Sequence, residues 1–223
     1  GLYPTDGTTD DFAYGRLGIP GLTYELGTSF FQNCGTFENS ILPDNLASLM
    51  YMAKAARAPY LLPSGPEARD IRFDSAAVAP GEALSLTAIV DDGRVSTRNG
   101  TEPTQNIGAV ECYIDTMPWE VGAVAHAMTA EDGAFDSSVE TARVTLDTTG
   151  LDDGRHLLIV RGQDADGNWG VGSAAWFYIM KPATAPRVQG VVLQADSGLP
   201  LAGRVSAGSF SVETDETTGA FDL

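Results

Sequence analysis

Glu25 lies inside the apolar run Gly21-Leu22-Thr23-Tyr24-Glu25-Leu26-Gly27. A carboxylate in such a run costs free energy unless it is paired, reached by solvent from a cavity, or put to use. Upstream is Tyr3, in Leu2-Tyr3-Pro4-Thr5-Asp6-Gly7, and between the two runs a segment dense in Thr, Asp and Gly that carries Asp10 and Asp11. A carboxylate able to exchange protons and a phenol able to donate, set across such a loop, suggest the edge of an active site. The alternative from the residues alone is structural. Glu25 would then be a strand-end carboxylate held by an arginine, Tyr3 and Tyr14 packing aromatics, and Asp10 and Asp11 turn acids. A glycosidase pairing of Glu25 with an aspartate is disfavoured, because no second acid is placed opposite it.

Ile19 to Leu26 reads as a buried strand, apolar on both faces, and the segment before it as a loop. A helix is expected from Asp44 or Asn45, behind Pro43, to about Ala58, with Leu46, Leu49, Met50 and Ala53 as its apolar stripe. One strand and one helix cannot close a core, so residues 1–65 read as a fragment of an α/β domain, most of it expected before Gly1. Pro63-Ser64-Gly65-Pro66-Glu67 reads as a linker. Beyond it, period-two runs at 83–90, 110–114, 142–146, 156–160 and 174–179 predict a β-sandwich over residues 66–183, with Met117 to Val139 a loop excursion. A second Pro-rich linker, 181–186, leads to a short β-region at 184–223 that reads as a truncated domain.

Composition narrows the partners. The net charge is −17, and acids outnumber bases in all three stretches, 6 to 3, 19 to 8 and 5 to 2. With no basic patch, nucleic acid and anionic membranes are poor partners. No apolar run reaches the about 18 residues of a membrane span. The two cysteines, Cys34 and Cys112, fall in different stretches, so a bond between them is not expected. Cys34 could pair with a cysteine upstream, and Cys112 reads as a small buried hydrophobe. His126 and His156 have no metal-ligand spacing, which argues against a zinc site within the chain. Asp164-Ala165-Asp166-Gly167-Asn168 starts like a calcium loop but has Ala175 at the twelfth position, and reads as a tight turn with Trp169 packed on the sandwich.

Three motifs carry a family resemblance: Leu2-Tyr3, then Gly7-Thr8-Thr9-Asp10-Asp11-Phe12-Ala13-Tyr14, then Leu22-Thr23-Tyr24-Glu25-Leu26. Their order and spacing resemble the C-terminal part of the zinc metallocarboxypeptidases of the carboxypeptidase A/B/T type, over about residues 1–62. The resemblance implies that Glu25 is the general base and acid of peptide hydrolysis. It implies that Tyr3 sits on a mobile loop and binds the substrate's terminal carboxylate. Asp10 would form the base of the pocket for the C-terminal side chain, favouring Lys or Arg, and Thr23 would line it. Asp11 would be structural. The cofactor is zinc, with its ligands and the carboxylate-gripping residues expected upstream, so the chain alone is expected to bind no catalytic zinc and cleave nothing.

Residues 66–183 resemble the immunoglobulin-like modules of secreted bacterial enzymes, through Gly162-Gln163-Asp164-Ala165-Asp166-Gly167-Asn168-Trp169-Gly170. Residues 184–223 are similar to the transthyretin-type regulatory-like domain that follows many carboxypeptidase domains. The expectation is a fragment of a secreted bacterial metallocarboxypeptidase acting on peptide or protein C-termini, with its β-modules contacting a cell surface or polymer. The alternative is a β-module binding or adhesion protein with a degenerate peptidase remnant.

Overall fold

The computed structural model of the chain describes residues 7–75, 77–94, 103–180, 187–207 and 210–223. The chain divides into two compact units after Pro59.

The first unit opens with helix α1, Thr9–Leu17, where sequence reading expected a loop. Thr8 and Asp11 explain it. The Thr8 hydroxyl accepts from the Asp11 N–H, and the Asp11 carboxylate accepts from the Thr8 N–H, a reciprocal cap on the first turn. Gly18, at φ 67°, ends the helix in the left-handed conformation that lacks a steric cost only for glycine. Residues 18–26 form no strand. A strand is defined by a ladder, and among the described residues of this unit no second extended segment offers one.

The second helical run begins earlier than its apolar stripe implied. Asn33 caps it by accepting from the Thr36 N–H at 2.8 Å. Helix α2, Cys34–Thr36, passes through a π-turn, Phe37–Ile41, into helix α3, Leu42–Ala55. Pro43 therefore lies inside the run and does not precede it. Proline has no N–H, and its ring clashes with the carbonyl four residues back. The wider π-turn just before it, closed by Leu42 N–H to the Phe37 carbonyl, relieves that clash. Among the described residues of this unit only Ile41 and Ala55 are buried. The stripe residues Leu46, Leu49 and Met50 are exposed, as are Phe12, Leu22, Phe30 and Phe31.

The second unit is mostly a β-sandwich that approaches a barrel. Its strands are β1 Glu67–Phe73, β2 Ala83–Asp91, β3 Ile107–Ile114, β4 His126–Ala130, β5 Val139–Asp147, β6 Gly154–Asp164 and β7 Ser173–Ile179. They run in the order β1-β2-β5-β4-β3-β6-β7, each antiparallel to its neighbour. Strand β4 falls in the segment read as a loop excursion. It turns the corner between layers, pairing Met128 with Val110 of β3 and Thr129 with Arg143 of β5. With five residues and one polar alternation it is too short to show a period in sequence. The two layers meet over Leu84, Leu86, Ala88 and Val90 of β2, Val110 and Cys112 of β3, Leu158 and Val160 of β6, and Phe177 of β7. Burial pushes the Cys112 thiol up to about 12.

The far side is drawn together as well. Ala68 N–H donates to the Val171 carbonyl at 3.4 Å, the Ser173 hydroxyl donates to the Ala68 carbonyl, and Val78 bridges Ile179 in parallel. The stretch read as a linker is part of this seam. Leu62–Ser64 is a 3-10 turn, Glu67 starts β1, and Pro66 is fully buried. A Cβ on Gly65 would lie 2.5 Å from the Gly170 N atom, so the two backbones touch only because glycines meet there.

The turn at 164–168 is as expected. Buried Asp164 accepts from the Asn168 N–H at 2.8 Å and side-chain amide at 2.9 Å. Arg161 lies 4.1 Å over the Trp169 ring. Beyond residue 187, strands β8 Gln189–Val191 and β11 Ala220–Asp222 pair, as do β9 Arg204–Ala207 and β10 Phe210–Glu213. Among the described residues no helix is long and apolar enough to cross a membrane.

His156 ties the core of the sandwich to its rim. Its ring stacks on Phe177 at 5.4 Å, with Nδ1 2.5 Å from an Asp115 carboxylate oxygen and Nε2 2.7 Å from the Asp152 carbonyl. Burial opposes the charged ring, but the Asp115 carboxylate and the Asp152 carbonyl outweigh it and raise the imidazole above its usual range. A raised histidine contributes stability below its unfolded pKa of about 6.5 and loses it as pH rises through the folded value. The stability advantage of the chain over a His156→Gln variant is therefore largest near pH 5.5 and shrinks towards pH 9. Urea unfolding followed by tryptophan fluorescence reads this sandwich, because Trp119, Trp169 and Trp176 all lie in it. An advantage that grows with pH would refute the charged pair.

Candidate functional site

Residues 21–26 are held between the two helical runs of the first unit. On one side Gly21 sits against α1: a Cβ there would lie 2.8 Å from the Asp10 Cα. On the other side the Tyr24 hydroxyl reaches α3, 2.7 Å from Ser48 Oγ and 2.6 Å from Met52 Sδ. The side chains flanking Tyr24, Thr23 and Glu25, are exposed. The chain then turns at Gly27, φ 77°, where Gln32 Nε2 donates to the Ser29 carbonyl at 2.8 Å.

This arrangement brings two of the four sequence-predicted residues together. Asp10 is half-buried near the start of α1, where the segment that carries Thr23 passes against it at Gly21. Thr8, then the backbone at Asp10 itself, then Thr23 hold its carboxyl below the usual aspartate range, with slight burial opposing them. An ionised carboxylate is thus presented beside a threonine hydroxyl. Glu25 is exposed, not buried in a strand, because no ladder covers residues 18–26. Tyr3 lies outside the described residues.

Two residues escaped sequence reading. Thr8 caps α1 and supports Asp10, and its signal was present as Thr-x-x-Asp before a helical stretch. Tyr24 anchors the segment on α3, and only its alternation with Thr23 and Glu25 hinted at it. No group of three His, Cys, Asp or Glu is placed to hold a metal ion among the described residues. His156 is committed to Asp115 and Asp152, which occupies both of its ring nitrogens.

No family model matches the chain, and no curated protein matches it. Solved structures with similarity include wild-type OgpA from Akkermansia muciniphila, at 13% identity and TM-score 0.34, over 52% of this chain and 28% of that one. The fibronectin(III)-like modules of Clostridium thermocellum CbhA align at 11% identity and TM-score 0.29, over 49% of this chain and 94% of that one. The carbohydrate binding module of the muscle glycogen-targeting subunit of Protein Phosphatase-1 aligns at 11% identity and TM-score 0.31, over 72% and 98%. The chain therefore spans well under two thirds of OgpA, and likenesses at this level carry no assignment of function.

The order of the hydrogen bonds on Asp10 is testable in the chain itself. Following the Asp10 carboxyl by NMR titration, Thr8→Ala raises its pKa more than Thr23→Val does, and both raise it. An unchanged value in Thr23→Val would remove Thr23 from the Asp10 environment.

Proposed function

We propose that the first unit is the closing part of a metallocarboxypeptidase catalytic domain, with Glu25 as its proton-transfer residue and Asp10 with Thr23 in the pocket for the substrate's C-terminal side chain. The observation that carries this reading is the close approach of residues 21–23 to α1 at Gly21, which sets Thr23 near enough to Asp10 to help lower its carboxyl. The motif order assigns these two residues to one pocket, although thirteen positions of sequence separate them. The uncovered apolar side chains of the unit also support it. Leu22, Leu46, Leu49 and Met50 need a covering layer, which the sheet of such a domain would supply.

In this reading zinc would be held by ligands that the described residues do not supply, and it would lower the pKa of the attacking water. Glu25 accepts a proton from that water and returns it to the leaving amine. Asp10, kept ionised by Thr8 and Thr23, pairs with a basic C-terminal side chain. Tyr3 binds the terminal carboxylate. The sandwich has the ABED and CFG strand order of immunoglobulin constant-type domains, and with the region from 187 onward it forms appended modules of an extracellular enzyme. The acidic surface suits such a setting.

The decisive experiment uses the protein together with its upstream sequence. Glu25→Gln lowers hydrolysis of C-terminal residues by about 10²–10⁴-fold, while the zinc content measured by elemental analysis stays at the wild-type level. Retained hydrolysis removes Glu25 from the chemistry. No hydrolysis by the unmutated protein favours the β-module binding reading instead.

The pocket assignment has its own test. Asp10→Ala costs about 30-fold or more on substrates ending in Lys or Arg and little on those ending in Leu or Phe. An equal loss on both substrate sets would refute Asp10 as the specificity residue.

A further inference from the structure

The outer face of β1, β2, β5 and β4 holds an open groove of about 560 Å³. Its middle row is fixed by strand register. Arg72 of β1 stands opposite Thr87 of β2, Thr87 opposite Arg143 of β5, and Arg143 opposite Thr129 of β4. The two arginines are thus two strand spacings apart, ~10 Å between their Cα atoms. Both are exposed. The next row adds hydroxyls from Ser85 and Thr145, which bond each other at 2.9 Å. Asp74 and Glu131 also line the groove and set a carboxylate at each of two corners.

What separates these arginines from the rest is that they are unpaired. Among the described residues of the sandwich, Arg69 is paired with Asp70 and Asp91, Arg94 with Glu67, and Arg161 with Glu111, while Arg155 covers the Trp176 ring. Neither Arg72 nor Arg143 has a described ion pair, side-chain hydrogen bond or ring contact. In a chain of 30 acids and 13 bases, these two unpaired guanidinium groups balance Asp74 and Glu131 and leave the groove formally neutral within a negative surface.

We propose that this groove binds an acidic polysaccharide, one whose sugar units carry carboxylates. Two guanidinium forks match two carboxylates in bidentate fashion. The four hydroxyls and the two corner carboxylates match the donors and acceptors of sugar hydroxyls. An extended acidic peptide cannot add here as a strand, because β2 and β5 are central strands whose backbone groups are spent in the ladder. The inference concerns the sandwich alone and stands apart from the catalytic reading of the first unit.

The test is native electrophoresis of the full 223-residue chain through gels with entrapped polymer. Alginate and polygalacturonate retard the chain, and dextran does not. Because the chain carries −17, non-specific adherence to a polyanion is disfavoured, and retardation reports a local site. Arg72→Gln and Arg143→Gln each weaken binding roughly tenfold, and the double variant runs as in a plain gel. Replacing both by Lys keeps the charge but loses the fork, and also weakens binding. Arg155→Gln, which removes the same charge from the other sheet, leaves retardation unchanged. Near-UV circular dichroism verifies that each variant is folded. The proposal is overturned if neither uronate polymer retards the chain, if dextran or heparin retards it as strongly, if poly-glutamate does so and alginate does not, or if the double variant is still retarded.

Discussion

The unbroken ladder between β2 and β5, from Ala83 opposite Asp147 to Asp91 opposite Val139, is the interaction on which the sandwich depends. It fixes register along the whole length of two central strands, and register decides which side chains go inside. Leu84, Leu86, Ala88 and Val90 turn inward with Leu146 and Ala142, while Ser85 and Thr87 turn outward with Thr145 and Arg143. A slip of one residue would put the arginine in the core and the leucines in water. β1 and β4 then add to the two sides of this pair, and β4 carries the sheet around to β3, β6 and β7.

The first unit shows the same rule from the other direction. Residues 18–26 have the apolar composition of a buried strand, but a strand's N–H and C=O groups need partners along its edges. Without a ladder the segment takes no strand conformation and is held by side chains and close approach instead: Tyr24 on Ser48 and Met52, and Gly21 against Asp10. Helices carry their hydrogen bonds internally, which is why α1 and α3 persist while their apolar side chains stay exposed. The approach of this segment to Asp10 depends on Gly21, since any larger residue would push it off α1.

How much of this could be read from sequence follows the range of the interactions. Five strands of the sandwich announced themselves because alternation is local and the buried face is long, as at Leu84 to Val90. The turn at Asp164 to Asn168 was legible because its carboxylate satisfies backbone N–H groups a few residues away. β1 was hidden behind a Pro-Ser-Gly-Pro stretch that looks like a linker, and only the glycine-to-glycine contact of residues 65 and 170, far apart in sequence, makes it part of the fold. The helix start at Asn33 was missed because Pro43 is an ordinary stop or start signal, and the π-turn that accommodates it has no sequence mark. At the candidate site, the cap of α1 was legible as Thr-x-x-Asp. The exposure of Glu25 was not, because burial depends on what covers a segment and not on the segment itself.

The distribution of charge links these parts. Acids that do enter the sandwich are satisfied individually. Glu140 accepts from the Asp136 and Ser137 N–H groups, Asp164 from Asn168, and Asp91 from Arg69 and the Gly93 N–H. Each is a carboxylate whose desolvation is offset by donors fixed in the backbone or by a fork of guanidinium N–H groups. Carboxylates are therefore not scarce around the sandwich, and an arginine on this surface finds one wherever register allows. At Arg72 and Arg143 register sets hydroxyls opposite instead: Thr87 faces both, and Thr129 closes the row. A Glu at position 87 would have neutralised the pair from an equivalent place on the sheet. Threonine there keeps two donors free over one face, and strand geometry, not a shortage of acids, is what leaves them available.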